Sequence, residues 1–179
     1  GVSSAASDVY KRQTGISGIG AVGLLNAVGA EVVLYDGNEK LKIEDIEKKL
    51  GTYKAEIVLG ELTKELTDSS DLLVISPGVP IDSPVVKAFE AAGVPVWGEV
   101  ELAYAFDKGK VLAITGTNGK TTTTALVGQI VGAYHKDTFV VGNIGNPYTT
   151  EVLKSNKDSY TVAEISSFQL ETVHEFHPL

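Results

Sequence analysis

Short, uninterrupted apolar runs alternate along this chain with longer stretches in which apolar residues recur every three or four positions. The runs at Glu31–Tyr35, Glu56–Leu59, Leu72–Ile75, Val111–Ile114, Phe139–Val141 and Tyr160–Ala163 are rich in β-branched residues and too continuous for strands with one wet face. They read as buried parallel strands. The stretches between them, Ile19–Val28, Glu44–Leu50, Pro84–Ala92, Glu99–Phe106, Thr121–Tyr134 and 147–154, carry helical periodicity. Such alternation predicts right-handed βαβ units and an α/β fold.

At Asp107-Lys108-Gly109-Lys110 a short polar turn interrupts the pattern, which then restarts with a strand and a glycine-rich loop. That predicts two domains, 15–107 and 108–179. Charge divides there too, with 10 basic and 17 acidic residues up to 109 against 5 and 6 beyond it, so the second segment is the less repulsive host for a polyphosphate. The net charge of −8 argues against a nucleic-acid groove or an anionic membrane surface, both of which call for a basic face. No apolar run reaches the roughly 18 residues of a membrane-spanning helix. Zero cysteines exclude a disulfide scaffold and a thiol nucleophile, and a cytoplasmic setting is expected. With no methionine and no clear terminal element at Phe176-His177-Pro178-Leu179, the chain reads as a piece of a longer one.

The strongest chemical signal is Gly116-Thr117-Asn118-Gly119-Lys120-Thr121-Thr122, which follows an apolar strand and opens a helix. Glycines let backbone N–H groups face phosphate oxygens, Lys120 can reach the terminal phosphates of ATP, and the Thr121 hydroxyl can ligate Mg²⁺. The spacing is two residues shorter than the common phosphate loop, and an ordinary glycine turn before a capped helix is the plainer alternative. A metal at such a loop needs an acid at a neighbouring strand end. Glu164, directly after Tyr160–Ala163, is the candidate, although alone it also fits a solvated charge or a cap. Gly142-Asn143-Ile144-Gly145 permits close backbone approach and offers an amide to a ligand; on composition it equally fits a β-turn.

Near the N-terminus, Gly15-Ile16-Ser17-Gly18-Ile19-Gly20 precedes a helix, and Asp36 closes a strand about 20 residues later, as in a dinucleotide fingerprint. Gln13 stands where that fingerprint has its first glycine. A diphosphate can still rest on the N–H groups around Ser17 and Gly18, with Asp36 accepting from a base or ribose. Ser76-Pro77-Gly78 closes the strand at Leu72–Ile75 and either lines the same pocket or is a rigid turn. Ser3–Gln13 has only Val9 and Tyr10 as strand formers, so the first strand is expected to be missing and residues 1–14 to be a non-native or disordered leader. His135, His174 and His177 show no ligand spacing and read as surface residues; Trp97 reads as a packing residue.

Taken together, the loop at Gly116–Thr122, Gly142–Gly145, Ser76–Gly78 and Glu164-Ile165-Ser166-Ser167-Phe168-Gln169-Leu170-Glu171 resemble the Mur ligase family. The resemblance implies a Rossmann-like N-terminal domain followed by a truncated P-loop-type parallel-sheet central domain. It also implies an ATP- and Mg²⁺-dependent amide-bond ligase of peptidoglycan synthesis, acting on UDP-N-acetylmuramoyl-L-alanine and D-glutamate. Lys120 would then stabilise the transferring phosphoryl group, Thr121 and Glu164 would hold Mg²⁺, Asn143, Ser166 and Gln169 would contact substrate, and Ser17, Asp36 and Gly78 would hold the UDP end. Further family residues would lie past Leu179, so residues 1–179 alone are expected not to catalyse ligation. An NAD-dependent oxidoreductase built on Gly15–Asp36 and a non-catalytic nucleotide-binding module are the competing readings.

Overall fold

The computed structural model describes residues 3–7, 16–143 and 145–179, and for 3–7, 16 and 17 the backbone alone. The chain divides into two compact units, Gly1–Glu99 and Val100–Leu179. In the first, strands β1 (Ser3–Ser7), β2 (Glu31–Asp36), β3 (Glu56–Leu59), β4 (Leu72–Ile75) and β5 (Val96–Gly98) form a parallel sheet in the order β3-β2-β1-β4-β5. Helices α1 (Ile16–Ala27), α2 (Ile43–Leu50), α3 (Lys64–Ser69) and α4 (Pro84–Ala91) supply the crossovers. Side-chain oxygens cap two of them: Thr63 accepts from Leu66 N–H, and Ser83 accepts from Val86 N–H ahead of Pro84, whose fixed φ suits the first helical turn. The core gathers Leu73, Ile75, Val79, Val86, Phe89 and Val94 between β4 and α4.

The second unit begins with α5 (Glu99–Phe106, all but its first residue) and holds a three-stranded parallel sheet of β6 (Lys110–Ile114), β7 (Thr138–Gly142) and β8 (Tyr160–Glu164), in the order β6-β8-β7. The long helix α6 (Lys120–Tyr134) packs on it, and α7 (Tyr148–Glu151), a 3₁₀ turn (Val152–Lys154) and α8 (Ser167–Leu170) complete the unit. Polar side chains tie these pieces together. Asp107 accepts from Tyr148 OH (2.8 Å), Thr161 Oγ1 (2.7 Å) and Gly109 N–H (2.8 Å). The buried Glu101 carboxylate accepts from the backbone N–H groups of His174 (2.9 Å) and Glu175 (2.7 Å).

Six strands and six helical segments fall where the hydrophobic pattern predicts them, within a few residues. One expectation fails. A first strand is present: Ser3–Ser7 pairs with β2 on one side and β4 on the other. A strand flanked on both edges draws its stability from two hydrogen-bond ladders, which Ser and Ala backbones supply as well as Val, so a search for apolar runs passes over it. The leader residues 1, 2 and 8–14 lie outside the described residues. The compact units themselves divide after Glu99. Glu101 and Tyr104 tie α5 to the segment at 174–177, and Asp107 ties its end to β8.

Candidate functional site

Strand register brings the predicted chemistry of the second unit to one edge. Glu164, the last residue of the central strand β8, lies opposite Ile114 of β6 and Gly142 of β7. The three chains therefore leave the sheet side by side, at the carboxyl ends of parallel strands, where open α/β sheets collect ligands. From β6 comes the glycine loop at 115–119, from β7 the segment at Gly142-Asn143, and from β8 Ile165 and Ser166.

The loop ends with Gly119 in the left-handed region (φ 78°) at the N-cap of α6, a conformation that costs a residue with a Cβ. The first free N–H groups of a 15-residue helix thus open onto the loop, an arrangement suited to an anion. The half-buried Lys120 folds its ammonium back over the loop, donating to the Gly116 carbonyl at 2.8 Å and lying 3.5 Å from that of Thr117. Thr117, Asn118, Thr121 and Thr122 are exposed around it.

Glu164 is only 4% exposed, and its Oε2 is buried without a hydrogen-bond partner among the described residues. An orphaned carboxylate oxygen in the interior is costly unless a cation or a hydrogen-bond donor completes it, and a hard divalent cation that takes oxygen ligands is compatible with this position. Asn143 sits beside it, its N–H donating to the Glu164 carbonyl at 3.3 Å, while Ile165 N–H donates to the Ile114 carbonyl at 2.9 Å on the other side. Gly142 has φ 105°, and a Cβ there would run into the Glu164 backbone carbonyl, so a side chain is excluded twice over. Ser166 and Gln169, both expected to contact substrate, also meet each other. They form a capping box on α8, with Ser166 Oγ accepting from Gln169 N–H (3.4 Å) and Gln169 Oε1 accepting from Ser166 N–H (2.9 Å) and Ser166 Oγ (3.0 Å).

In the first unit, Asp36 and Ser76–Gly78 leave β2 and β4 on either side of β1, around the point where the strand order reverses. Asp36 Oδ1 accepts from Asn38 N–H at 2.8 Å; burial raises its carboxyl above the usual range, and that hydrogen bond works the other way. Gly78 is exposed, with open space where a Cβ would stand. Ser17 lies in the first turn of α1, which begins three residues earlier than its periodicity predicts. Its side chain, like Gly15 and Ile144, lies outside the described residues.

The family model for the Mur ligase MurD-like N-terminal domain matches residues 14–98, and that for the Mur ligase middle domain matches 114–178. The chain belongs to the Mur ligase family. Relatives named UDP-N-acetylmuramoylalanine--D-glutamate ligase are 72% identical in Lachnospira eligens and 56% identical in Lachnoclostridium phytofermentans, over 93% and 92% of this chain. The chain spans 37% and 36% of their lengths. A solved structure, the UDP-N-acetylmuramate:L-alanyl-gamma-D-glutamyl-meso-diaminopimelate ligase of Neisseria meningitides, shares the fold at a TM-score of 0.51 and 18% identity, over 92% of this chain and 52% of its own.

Within this Mur ligase chain, sequence reasoning missed three features of the site. One is the capping box, although Ser166-x-x-Gln169 is its ordinary signature. Another is the hydrogen bond from the Asn146 amide to the buried Glu151 carboxylate. The third is Thr124, fully buried on α6 with its hydroxyl unpartnered among the described residues. Neither of the last two carries a sequence signal, because both depend on what α6 and α7 pack against. Among the described residues no helix is long and apolar enough to cross a membrane, and no cluster of three His, Asp or Glu gathers around a metal position.

Proposed function

We propose that this chain carries the nucleotide-sugar-binding and ATP-binding parts of a cytoplasmic ligase joining D-glutamate to UDP-N-acetylmuramoyl-L-alanine. The observation that carries the reading is the convergence at the end of β8: a buried carboxylate with an orphaned oxygen, level with a glycine loop that opens α6, in a chain 72% identical to a relative of that name. ATP would sit with its phosphates on the loop N–H groups of Gly116–Thr122. Glu164 and the Thr121 hydroxyl would hold Mg²⁺, which when bound neutralises charge on the phosphate oxygens.

The chemistry then follows from positioning and charge. The alanyl carboxylate attacks the γ-phosphorus as the bond to ADP breaks, giving an acyl phosphate. The D-glutamate amine attacks the acyl carbon, phosphate leaves, and the amine gives up a proton as the amide forms. Lys120, released from the loop carbonyls, follows the charge on the transferring phosphoryl group. Asn143 contacts substrate near the acceptor carboxylate. The capping box occupies Gln169 Oε1, which leaves the Gln169 NH₂ as the donor directed at substrate. Ser17, Asp36 and Gly78 hold the UDP end in the first unit.

The test is Lys120→Ala in a chain extended to the length of its relatives. A loss of roughly 100- to 1,000-fold in kcat is expected, the scale of removing one preorganised electrostatic donor. Ligation at the unmodified rate would reject the assignment. Glu164→Gln should raise the Mg²⁺ concentration needed for half-maximal rate, and an unshifted titration would remove Glu164 from the metal.

A further inference from the structure

The carboxylate of Glu151 is buried beside the segment that follows β7, yet it has no part in the chemistry proposed above. The residue is 7% exposed, and Lys154 Nζ donates to both of its oxygens at 2.9 Å. Lys154 itself is 60% exposed, so most of this ion pair's worth lies in satisfying the buried acid rather than in the Lys154 side. The same Oε1 also accepts from Asn146 Nδ2 at 3.0 Å. Asn146 is the residue that closes the segment back on its own strand: its carbonyl accepts from Gly142 N–H at 3.3 Å, and it bridges to Val141. Asn143, next along the chain, donates to the Glu164 carbonyl. A continuous chain of contacts therefore runs from Lys154 through Glu151, Asn146 and Gly142 to Asn143 and Glu164.

Gly142 closes β7 level with Glu164, and past it the described residues of the segment offer few side chains to hold it. Gly142 and Gly145 both have positive φ and no side chain to pack, and Asn143 and Asn146 are exposed. Glycine-rich backbone of this kind has many conformations to lose on ordering. Among the described residues, its fixed points include the backbone bonds of Gly142 and Asn143 and the Asn146 amide that reaches a buried carboxylate.

We propose that Glu151 is a positioning residue which, through the Asn146 amide, fixes the segment after β7 and so holds Asn143 beside Glu164. The inference rests on the ligase reading only for what Asn143 does once it is placed. Placement itself can be measured without any ligand, by hydrogen exchange in the 179-residue chain. Glu151→Ala should speed exchange of the Gly142 and Asn143 amides by about tenfold, the scale of one lost hydrogen bond to a charged acceptor. The Ile165 amide, bonded to Ile114 on the opposite side of Glu164, should keep its rate. Glu151→Gln, which retains an oxygen for Asn146, should restore most of the protection. Asn146→Ala should reproduce Glu151→Ala, and the double variant should add nothing further.

Unchanged Gly142 and Asn143 rates in Glu151→Ala would overturn the proposal. So would an equal rise at Ile165, which would make Glu151 a general prop of the fold, or Glu151→Gln as damaging as Glu151→Ala, which would place the effect in the Lys154 pair. Because no substrate enters the measurement, a failed ligation assay leaves this result intact, and the reverse also holds.

Discussion

Both units bury an apolar core, but they differ in how much polar chemistry they bury with it. Among the described residues, the first unit buries Thr67, Ser70 and Ser76 as its polar side chains, whereas the second buries nine, three of them the carboxylates of Glu101, Glu151 and Glu164. In the first unit a five-stranded sheet is packed by Leu, Val and Phe, and β4 is buried along its whole length. In the second a three-stranded sheet leaves β6 and β7 half-buried, and hydrogen-bonded acids fasten the loops around it. The difference teaches where each unit gets its rigidity. Apolar burial is non-directional and holds a sheet together; charged hydrogen bonds are directional and hold particular loops in particular places. The unit with the glycine loop is the one that uses the latter.

The largest effect should come from breaking the apolar side of this contrast. Phe89 is fully buried in the first unit, and Phe89→Ala should cost about 3–5 kcal/mol of that unit's stability. Trp97, the one tryptophan, lies in β5, so its fluorescence during urea unfolding reports the first unit. Exchange of the β8 amides reports the second, and a parallel loss there would mean the two units unfold as one and the contrast is empty.

Tyr148→Phe breaks the polar side. Burial, and then the neighbouring Asp107 charge and hydrogen bond, hold the Tyr148 phenol well above its ordinary range, so it stays a donor to Asp107. Its loss should cost the second unit about 1.5–3 kcal/mol, as expected for a hydrogen bond to a charged group. A cost below the error of the β8 exchange measurement would show that Asp107 is satisfied without it.

A smaller effect sharpens the comparison at the surface. Leu126, Ile130 and Tyr134 recur at four-residue spacing on α6 and are 55%, 53% and 82% exposed. Leu126→Lys with Ile130→Lys should change stability by less than about 0.5 kcal/mol while reducing self-association in sedimentation. Lost stability instead would place these side chains in the core.

The smallest effect is a pH dependence in the first unit. Asp36 is raised mainly by burial, so the folded state holds its proton more tightly than the unfolded state does. Its contribution is therefore most favourable below the ordinary carboxylate range and is lost as pH rises through the raised value. Asp36→Asn keeps an oxygen for Asn38 N–H and should be the more stable protein at neutral pH. Urea midpoints of the two should draw together as the solution is acidified; a gap that widens in acid would reverse the sign assigned to burial.

The α/β alternation, six of the eight strands among the described residues, the glycine loop with Lys120 and the acid at the end of Tyr160–Ala163 could all be read from residue order, because each is written locally in hydrophobic period, β-branching or a strand-loop-helix motif. It did not show β5 at Val96–Gly98, where three residues are too few for a pattern, nor β1, whose small side chains carry no apolar signal. Nor can a sequence display that Glu101 reaches residues more than seventy positions away. Only the tertiary structure set Ile114, Glu164 and Gly142 level with one another, tied Ser166 to Gln169, and hung Asn146 on Glu151. Residue type decides which group is available for chemistry, whereas strand register and packing decide which groups meet and which buried oxygen is left needing a partner.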